Sequence, residues 1–147
     1  MSGSRRVARE FALRGLYSWL LAQQDRTDIA ASLHEDSQFK KADEAYFQQL
    51  LEGVLDTAPN LEEKLRPHLD RAVAELSPIE KAILMIGAYE LMDCPDVPYR
   101  VAINEAVELA KQYGGTDGHK YVNGVLDKLA KEVRSPEIEA LARQKAK

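Results

Sequence analysis

Apolar residues recur at helical spacing through most of the chain, and the clearest case is the stretch 97–129. Two sets of apolar positions, each spaced three or four residues apart, flank a short polar break. Gly114 and Gly115 follow the first set, where a left-handed C-cap favours glycine, and Thr116 or Asp117 can cap the second helix. The pattern predicts two helices packed on one core. Their apolar positions are Ile103, Ala106, Val107, Ala110 and Tyr113, then Tyr121, Val122, Val125, Leu126 and Leu129.

Helical spacing also predicts the elements that precede this stretch. Pro59 and Asn60 are expected to end the third of them, and Pro67 should kink or divide the apolar pattern that continues over 61–73. Gly15, inside the first helix, suggests close packing of another helix at that point. The three predicted helices run from Arg5 to about Gln24, from Asp28 to His34, and from about Asp43 to Thr57.

The strongest helix start is the sequence SPIE at 77–80. Serine suits the N-cap, proline suits the first helical position, and the glutamate can close a capping box. The helix that follows runs to about Met92 and is apolar nearly all round, so neighbours should bury it on several sides. The tail from Ser135 repeats the serine-proline start with little apolar face, and we expect it to be marginal or frayed.

Period-two alternation is not sustained anywhere in the sequence, and no internal repeat is convincing, so we predict an all-α fold. The 147 residues suffice for one domain with a real core, or for two small subdomains that share one.

Apolar residues make up 45% and charged residues 30%, as in ordinary soluble proteins. No apolar run approaches the roughly 18 residues of a membrane span. With no signal peptide pattern and with Cys94 as the single cysteine, we expect a cytoplasmic protein.

Positive charge is concentrated at the N-terminus. Residues 1–14 carry a net charge of +3, which leaves −7 on the other 133 residues because the whole chain carries −4. Arg5, Arg6 and Arg9 share the angular sector of the leucine stripe of the first helix. Since arginines cannot stay buried unpaired, the first turns should overhang the core and present guanidinium groups to an anionic partner or to solvent.

Candidate catalytic chemistry is weak throughout the sequence. The three histidines, His34, His68 and His119, do not have metal-ligand spacing, and nothing near Cys94 in the sequence supplies a base. The sequence GGTDGHK lacks the spacing of a phosphate-binding loop and follows no strand. We therefore predict no enzyme activity, no metal and no cofactor.

Binding chemistry is better represented. Arginine side chains can neutralise phosphates, and an exposed aromatic can stack on the bases of single-stranded RNA. Tyr121, next to Lys120 in the first turn of its helix, is a candidate for stacking, and its alternative is a tyrosine of the core. The free NH groups at this helix start would also favour a nearby phosphate.

Five sequence segments resemble the NusB family of bacterial transcription antitermination factors. They cover nearly the whole chain, from Arg5 to about Lys131: RRVAREFALRGLYSW, SPIEKAIL, AYEL, VPYRVAINEAVELAK and KYVNGVLDKLA. The resemblance implies about seven helices in two packed subdomains, about 1–76 and 77–134, with the tail at 135–147. It also implies binding of single-stranded boxA RNA and of NusE, a small ribosomal-subunit protein. Together these act on RNA polymerase to suppress termination, especially in ribosomal RNA transcription.

The resemblance also assigns individual residues. One departure is Met85, where many relatives place a basic residue; the change removes a charge either from the RNA face or from an internal ion pair. The implied RNA-binding residues are Arg5, Arg6, Arg9, Asp117, Lys120 and Tyr121, and the implied partner-binding residues are Tyr17 and Glu80.

Two alternative functions remain open on the sequence alone. The protein could be a scaffold whose apolar and basic faces form a homodimer. It could also be an RNA-binding accessory to a separate RNA-modifying enzyme, because RNA cytosine methyltransferases carry a similar domain. The residues 116–121 and the segment 5–9 are predicted to lie side by side as one RNA-binding rim.

Overall fold

The computed structural model describes residues 3–146, which form seven α-helices. These are α1 (Arg5–Ala22), α2 (Arg26–His34), α3 (Glu44–Leu65), α4 (Pro78–Asp93), α5 (Tyr99–Tyr113), α6 (Gly118–Val133) and α7 (Ser135–Lys145). Short 3₁₀ turns occur at Phe39–Lys41, Arg66–His68 and Val73–Glu75. Within 3–146 the only β pairing is an isolated bridge between Ser4 and Ala42, so the all-α prediction is confirmed. None of the described helices is both long and apolar enough to cross a membrane.

Helix α4 lies at the centre of the molecule. It packs against α1, α3, α5 and α6, and every residue from Ala82 to Ala88 is buried. The prediction of a helix buried on several sides is therefore confirmed. The Ser77 hydroxyl accepts a hydrogen bond from the Glu80 NH at 3.1 Å and donates one to the Glu80 carboxylate at 3.0 Å, so the predicted serine cap is also present.

The helices form one continuous apolar core that reaches from α1 to α6. Helix α1 comes close to α2 and α3 at Gly15, where an added Cβ would lie 3.1 Å from side-chain carbons of Ile29 and Leu51. This confirms the predicted close packing at Gly15. The subdomain boundary between residues 76 and 77 stays a prediction, and residues 1, 2 and 147 of the predicted domain lie outside the described part of the chain.

Helix α3 does not end at Pro59 as predicted but continues to Leu65. Proline lacks an NH donor and costs a helix interior about 3 kcal/mol. The continuation buries Ala58, Leu61 and Leu65 in the core, and this burial offsets the cost. The chain then divides near Pro67, as expected, into two 3₁₀ turns.

The turn between α5 and α6 also differs from the prediction. Gly114 caps α5 with extended backbone (φ −86°), and no glycine in the described range has positive φ. Glycine is required at 114 for a different reason, because an added Cβ would lie 2.7 Å from the Ala110 carbonyl oxygen. The left-handed residue is Asp117 (φ 65°), which occupies the N-cap position of α6 without forming a side-chain cap.

The C-terminal tail forms helix α7, none of whose residues is fully buried, and its marginal or frayed character stays a prediction. Helix α7 packs against α6, and Ile138 contacts the core. The Glu137 carboxylate accepts a hydrogen bond from the Tyr99 NH at 3.0 Å and also pairs with Arg134. The contact with Tyr99 joins the tail to a residue 38 positions earlier, whereas the pair with Arg134 is local.

Candidate nucleic-acid interface

The first turn of α1 holds two exposed arginines that are already paired with carboxylates. Ser4 caps the helix by accepting a hydrogen bond from the Val7 NH at 3.1 Å. Arg5 lies 3.3 Å from Asp96 and stacks over the Tyr46 ring at 4.2 Å. The Arg6 side chain is 65% exposed, and its Nε donates to both oxygens of Glu105, at 3.1 and 3.2 Å. Both arginines lie at the edge of the core, as predicted.

Arg9 does not overhang the core, and the prediction that it does is wrong. Its side chain is only 4% exposed and forms an ion pair with Glu90 of α4, which is 1% exposed. The Arg9 Nε donates to both Glu90 oxygens at 3.0 Å, and the Tyr46 hydroxyl donates to the same carboxylate. In this conformation the Arg9 guanidinium is not available to a phosphate, because the Glu90 carboxylate occupies it.

A continuous network of charges connects the buried pair with the surface. Glu105 lies between the two arginines, 3.6 Å from the Arg9 Nη1 and in contact with Arg6. Burial lowers the pKa of Arg9, but the hydrogen bond and charge of Glu90 outweigh it, so the net pKa shift is upward. The hydrogen bonds that Arg6 donates to the Glu105 carboxylate raise the pKa of Arg6. Burial, together with the Glu90 charge, raises the pKa of Tyr46, so its hydroxyl stays protonated.

The start of α6 presents polar side chains to solvent. Lys120 is 72% exposed and lies 3.4 Å from the Asp117 carboxylate, one turn earlier. The positive φ of Asp117 is tolerable because aspartate visits the left-handed region more readily than most residues. Both side chains are therefore accessible to a ligand, although each is partly neutralised by the other.

Tyr121 matches neither sequence interpretation fully, because its ring is half-buried and has one face covered. The Arg71 guanidinium lies over the ring, 4.4 Å from its centroid. The Asp70 NH donates to the Tyr121 hydroxyl at 3.3 Å, and burial raises the pKa of that hydroxyl. Sequence reasoning missed Asp70 and Arg71, since they lie about 50 residues earlier in an irregular connection that carries no motif.

No polar or aromatic contact joins the two predicted RNA-binding segments in the described part of the chain. Within residues 3–146, no hydrogen bond, ion pair or aromatic contact joins 5–9 to 116–121. Helix α5 links them: it begins beside Arg5 and ends just before the turn that leads to α6. An open groove along α5 is lined by Arg6 and by the α5 residues Val101, Asn104, Glu105, Val107, Glu108 and Lys111. That the two segments share one RNA-binding rim stays a prediction.

The residues assigned to a protein partner lie on α1 and α4. Tyr17 is half-buried and its hydroxyl makes no hydrogen bond within the described range, and Glu80 is held by Ser77 in the first turn of α4. Met85 is fully buried inside α4. A basic residue at this position would therefore be internal, which favours the loss of an internal ion pair over the loss of charge from the RNA face.

Two candidate catalytic features can be compared with the described residues, the Cys94 thiol and a metal site. The Cys94 thiol is buried, accepts a hydrogen bond from Gln49 at 3.5 Å, and has its pKa raised to about 11, chiefly by burial. It is thus a structural thiol, as the sequence predicted. Between residues 3 and 146, no group of three or more histidine, cysteine or acidic side chains is arranged to hold a metal ion.

Comparisons with known proteins agree on one family. The NusB family model matches residues 6–131. The chain is 68% identical over 139 residues to transcription antitermination protein NusB of Thiobacillus denitrificans, covering 95% of this chain and 96% of that protein. The solved structure of T. maritima NusB superposes with a TM-score of 0.82 at 26% identity, covering 95% of this chain and 99% of that one. A structure of NusB and NusE in complex with dsRNA gives 0.78 at 25% identity, covering 87% and 96%. The chain belongs to the NusB family.

Proposed function

We propose that the protein is a non-enzymatic adaptor in transcription antitermination that binds boxA-type RNA together with NusE. The observation that carries this proposal is the 68% identity, over almost the full length of both chains, to a transcription antitermination protein NusB. The likeness to NusB in a complex with NusE and dsRNA supports RNA and NusE as its ligands. The antitermination complex of RNA polymerase would be the site of action, and the cytoplasm its location.

The RNA surface we propose uses Arg5, Arg6, Lys120 and Tyr121, with Asp117 beside them. Glu105 occupies the Nε side of the Arg6 guanidinium, which leaves Nη1 free of hydrogen bonds to the described residues and open to a phosphate. Because Arg9 is buried, we assign it a positioning role, in which it holds Glu105 and so orients Arg6. The Tyr121 ring would stack on a splayed base.

Replacing Arg6 by alanine is expected to weaken binding of a boxA oligonucleotide about tenfold, because one phosphate contact is lost. The matched control is Arg26→Ala. Arg26 is also an exposed arginine paired with a carboxylate, 2.7 Å from Asp56, but it lies on α2. Fluorescence anisotropy at several salt concentrations would measure both variants. Equal affinities for the two variants would remove Arg6 from the site.

The same assay separates single-stranded from duplex RNA. An exposed aromatic can stack only on unpaired bases, and the major groove of an A-form duplex is too narrow for side chains. We therefore expect single-stranded boxA RNA to compete more strongly than its duplex. Duplex binding is the second candidate, favoured by the related complex that contains dsRNA, and stronger competition by the duplex would support it.

NusE is expected to increase the affinity for RNA, since a ternary complex that forms cooperatively must be tighter than either pair. Binding with and without NusE would measure this coupling, and Tyr17→Ala should reduce it without changing the affinity for RNA alone.

Light scattering of the same samples tests the scaffold alternative, because a functional homodimer should persist when RNA is added. Methyl transfer by the purified chain would contradict the adaptor function.

A further inference from the structure

We infer that Arg71 is a further RNA-binding residue, whose guanidinium extends the Tyr121 ring into a stacking platform and contacts the adjacent phosphate. This inference rests on the proposed function. It concerns a residue in the connection between the two 3₁₀ turns after α3, a segment outside both predicted RNA-binding segments. The ligand is the backbone and one splayed base of a single-stranded RNA.

The geometry of Arg71 is that of a pre-ordered group. Its Nε donates to the Asp70 carboxylate at 2.7 Å and its Nη2 to the second oxygen at 3.4 Å, which fixes the plane of the guanidinium. The carbon at its centre lies 4.4 Å from the centroid of the Tyr121 ring. The Asp70 NH also bonds the Tyr121 hydroxyl. Three contacts among Asp70, Arg71 and Tyr121 therefore hold the two planar groups together.

One edge of this guanidinium remains available. Arg71 Nη1 makes no hydrogen bond to any residue in 3–146, and the side chain is 38% exposed. Arginine forms paired hydrogen bonds with phosphate oxygens, and its planar face stacks on aromatic rings and bases. A base that stacks at Tyr121 would thus place its own phosphate within the reach of a group that is already oriented.

A purely structural role is the competing explanation for these contacts. In that case the arginine would only fasten the connection 69–72 to α6, and the base would have to displace it from the ring. The two explanations predict different effects of removing Arg71 on the affinity for RNA. Removal of a binding group weakens RNA binding, whereas removal of a cover leaves the affinity unchanged or increases it.

The test compares Arg71→Ala with Arg100→Ala in the full-length protein, with boxA oligonucleotide as the probe. Arg100 is a matched control, because it is exposed, donates to the Tyr99 hydroxyl at 3.3 Å and lies 5.8 Å from that ring. Both changes remove one positive charge, so the net charge of the protein changes equally. We expect Arg71→Ala to weaken binding about tenfold relative to the control, and to lower the slope of log affinity against log salt by about 0.7.

Arg71→Lys is the second variant, since it keeps the charge but loses the planar fork. It should restore the salt slope and only part of the affinity. Thermal unfolding would establish that every variant is folded.

Several results would overturn the inference. One is equal RNA affinity for the Arg71 and Arg100 variants, and another is tighter binding by Arg71→Ala. A loss of NusE binding with RNA binding unchanged would assign Arg71 to the protein partner instead. If Arg6→Ala weakens binding and Arg71→Ala does not, the inference fails while the proposed function stands. If the parent protein does not bind RNA at all, the proposed function fails.

Discussion

Replacing Arg9 by methionine is expected to lower the free energy of unfolding by about 3–5 kcal/mol, because the change leaves a buried carboxylate without its partner. Glu90 is only 1% exposed, and the arginine supplies its charge neutralisation and most of its hydrogen bonds. Tyr46 alone would remain as a donor. Urea denaturation followed by circular dichroism would measure the change.

Arg14→Met is the matched control for this experiment. Arg14 lies on the same helix and also pairs with a carboxylate, Asp36 at 3.0 Å, but its side chain is about half exposed. Exposed pairs contribute about 0–1 kcal/mol, so the control should remain near the parent. Adding Glu90→Gln to Arg9→Met should recover part of the loss, since no buried charge is then unpaired. A loss below about 1 kcal/mol for Arg9→Met would mean that the pair is not buried in solution.

Replacing Arg134 by methionine is the second large destabilisation we expect, about 3–5 kcal/mol, because several buried carbonyl groups lose a charged donor together. The guanidinium is buried at the C-terminal end of α4. It donates to the carbonyls of Glu90, Leu91, Cys94 and Val97 at 3.1, 2.7, 3.0 and 2.9 Å. Its positive charge also interacts favourably with the negative end of the α4 dipole.

The Arg134 prediction has a local readout as well. Glu137 pairs with Arg134, so we expect α7 to lose its docking, and its amide hydrogens should exchange with solvent faster. Arg143→Met is the control, because Arg143 is an exposed residue of the same helix. Unchanged exchange in α7, or equal stability of the Arg134 and Arg143 variants, would contradict the role assigned to Arg134.

Local patterns predicted the helices well. The apolar stripe of α1 and the all-round apolar surface of α4 depend on residues three or four positions apart, and the serine cap at 77 depends on its neighbours. Such features can be predicted from the sequence because backbone geometry alone places these residues together. Where a local signal competed with packing, as at Pro59, the prediction was wrong, since burial of Leu61 and Leu65 outweighed the lost hydrogen bond.

The candidate site was predictable only in part. The sequence predicted Lys120 and Arg6 as site residues because they are charged residues at helix starts in segments that resemble a known family, and their RNA contacts stay a prediction. Arg71 was not found, since its contact with Tyr121 spans 50 positions and follows no period. Arg9 was identified as a residue of interest, but its burial depends on a carboxylate 81 residues away.

The amino-acid sequence by itself determined the all-α class, the central position of an apolar α4 and the family resemblance, because helical periodicity, caps and motifs are local properties. Tertiary structure decided which arginine side chains are buried and which are accessible to a ligand. It buried Arg9 against Glu90, left Arg6 exposed beside Glu105, and laid Arg71 over Tyr121. The physical reason is that an ion pair or a stacked ring depends on how helices pack in space, and the spacing of residues along the chain does not contain that information.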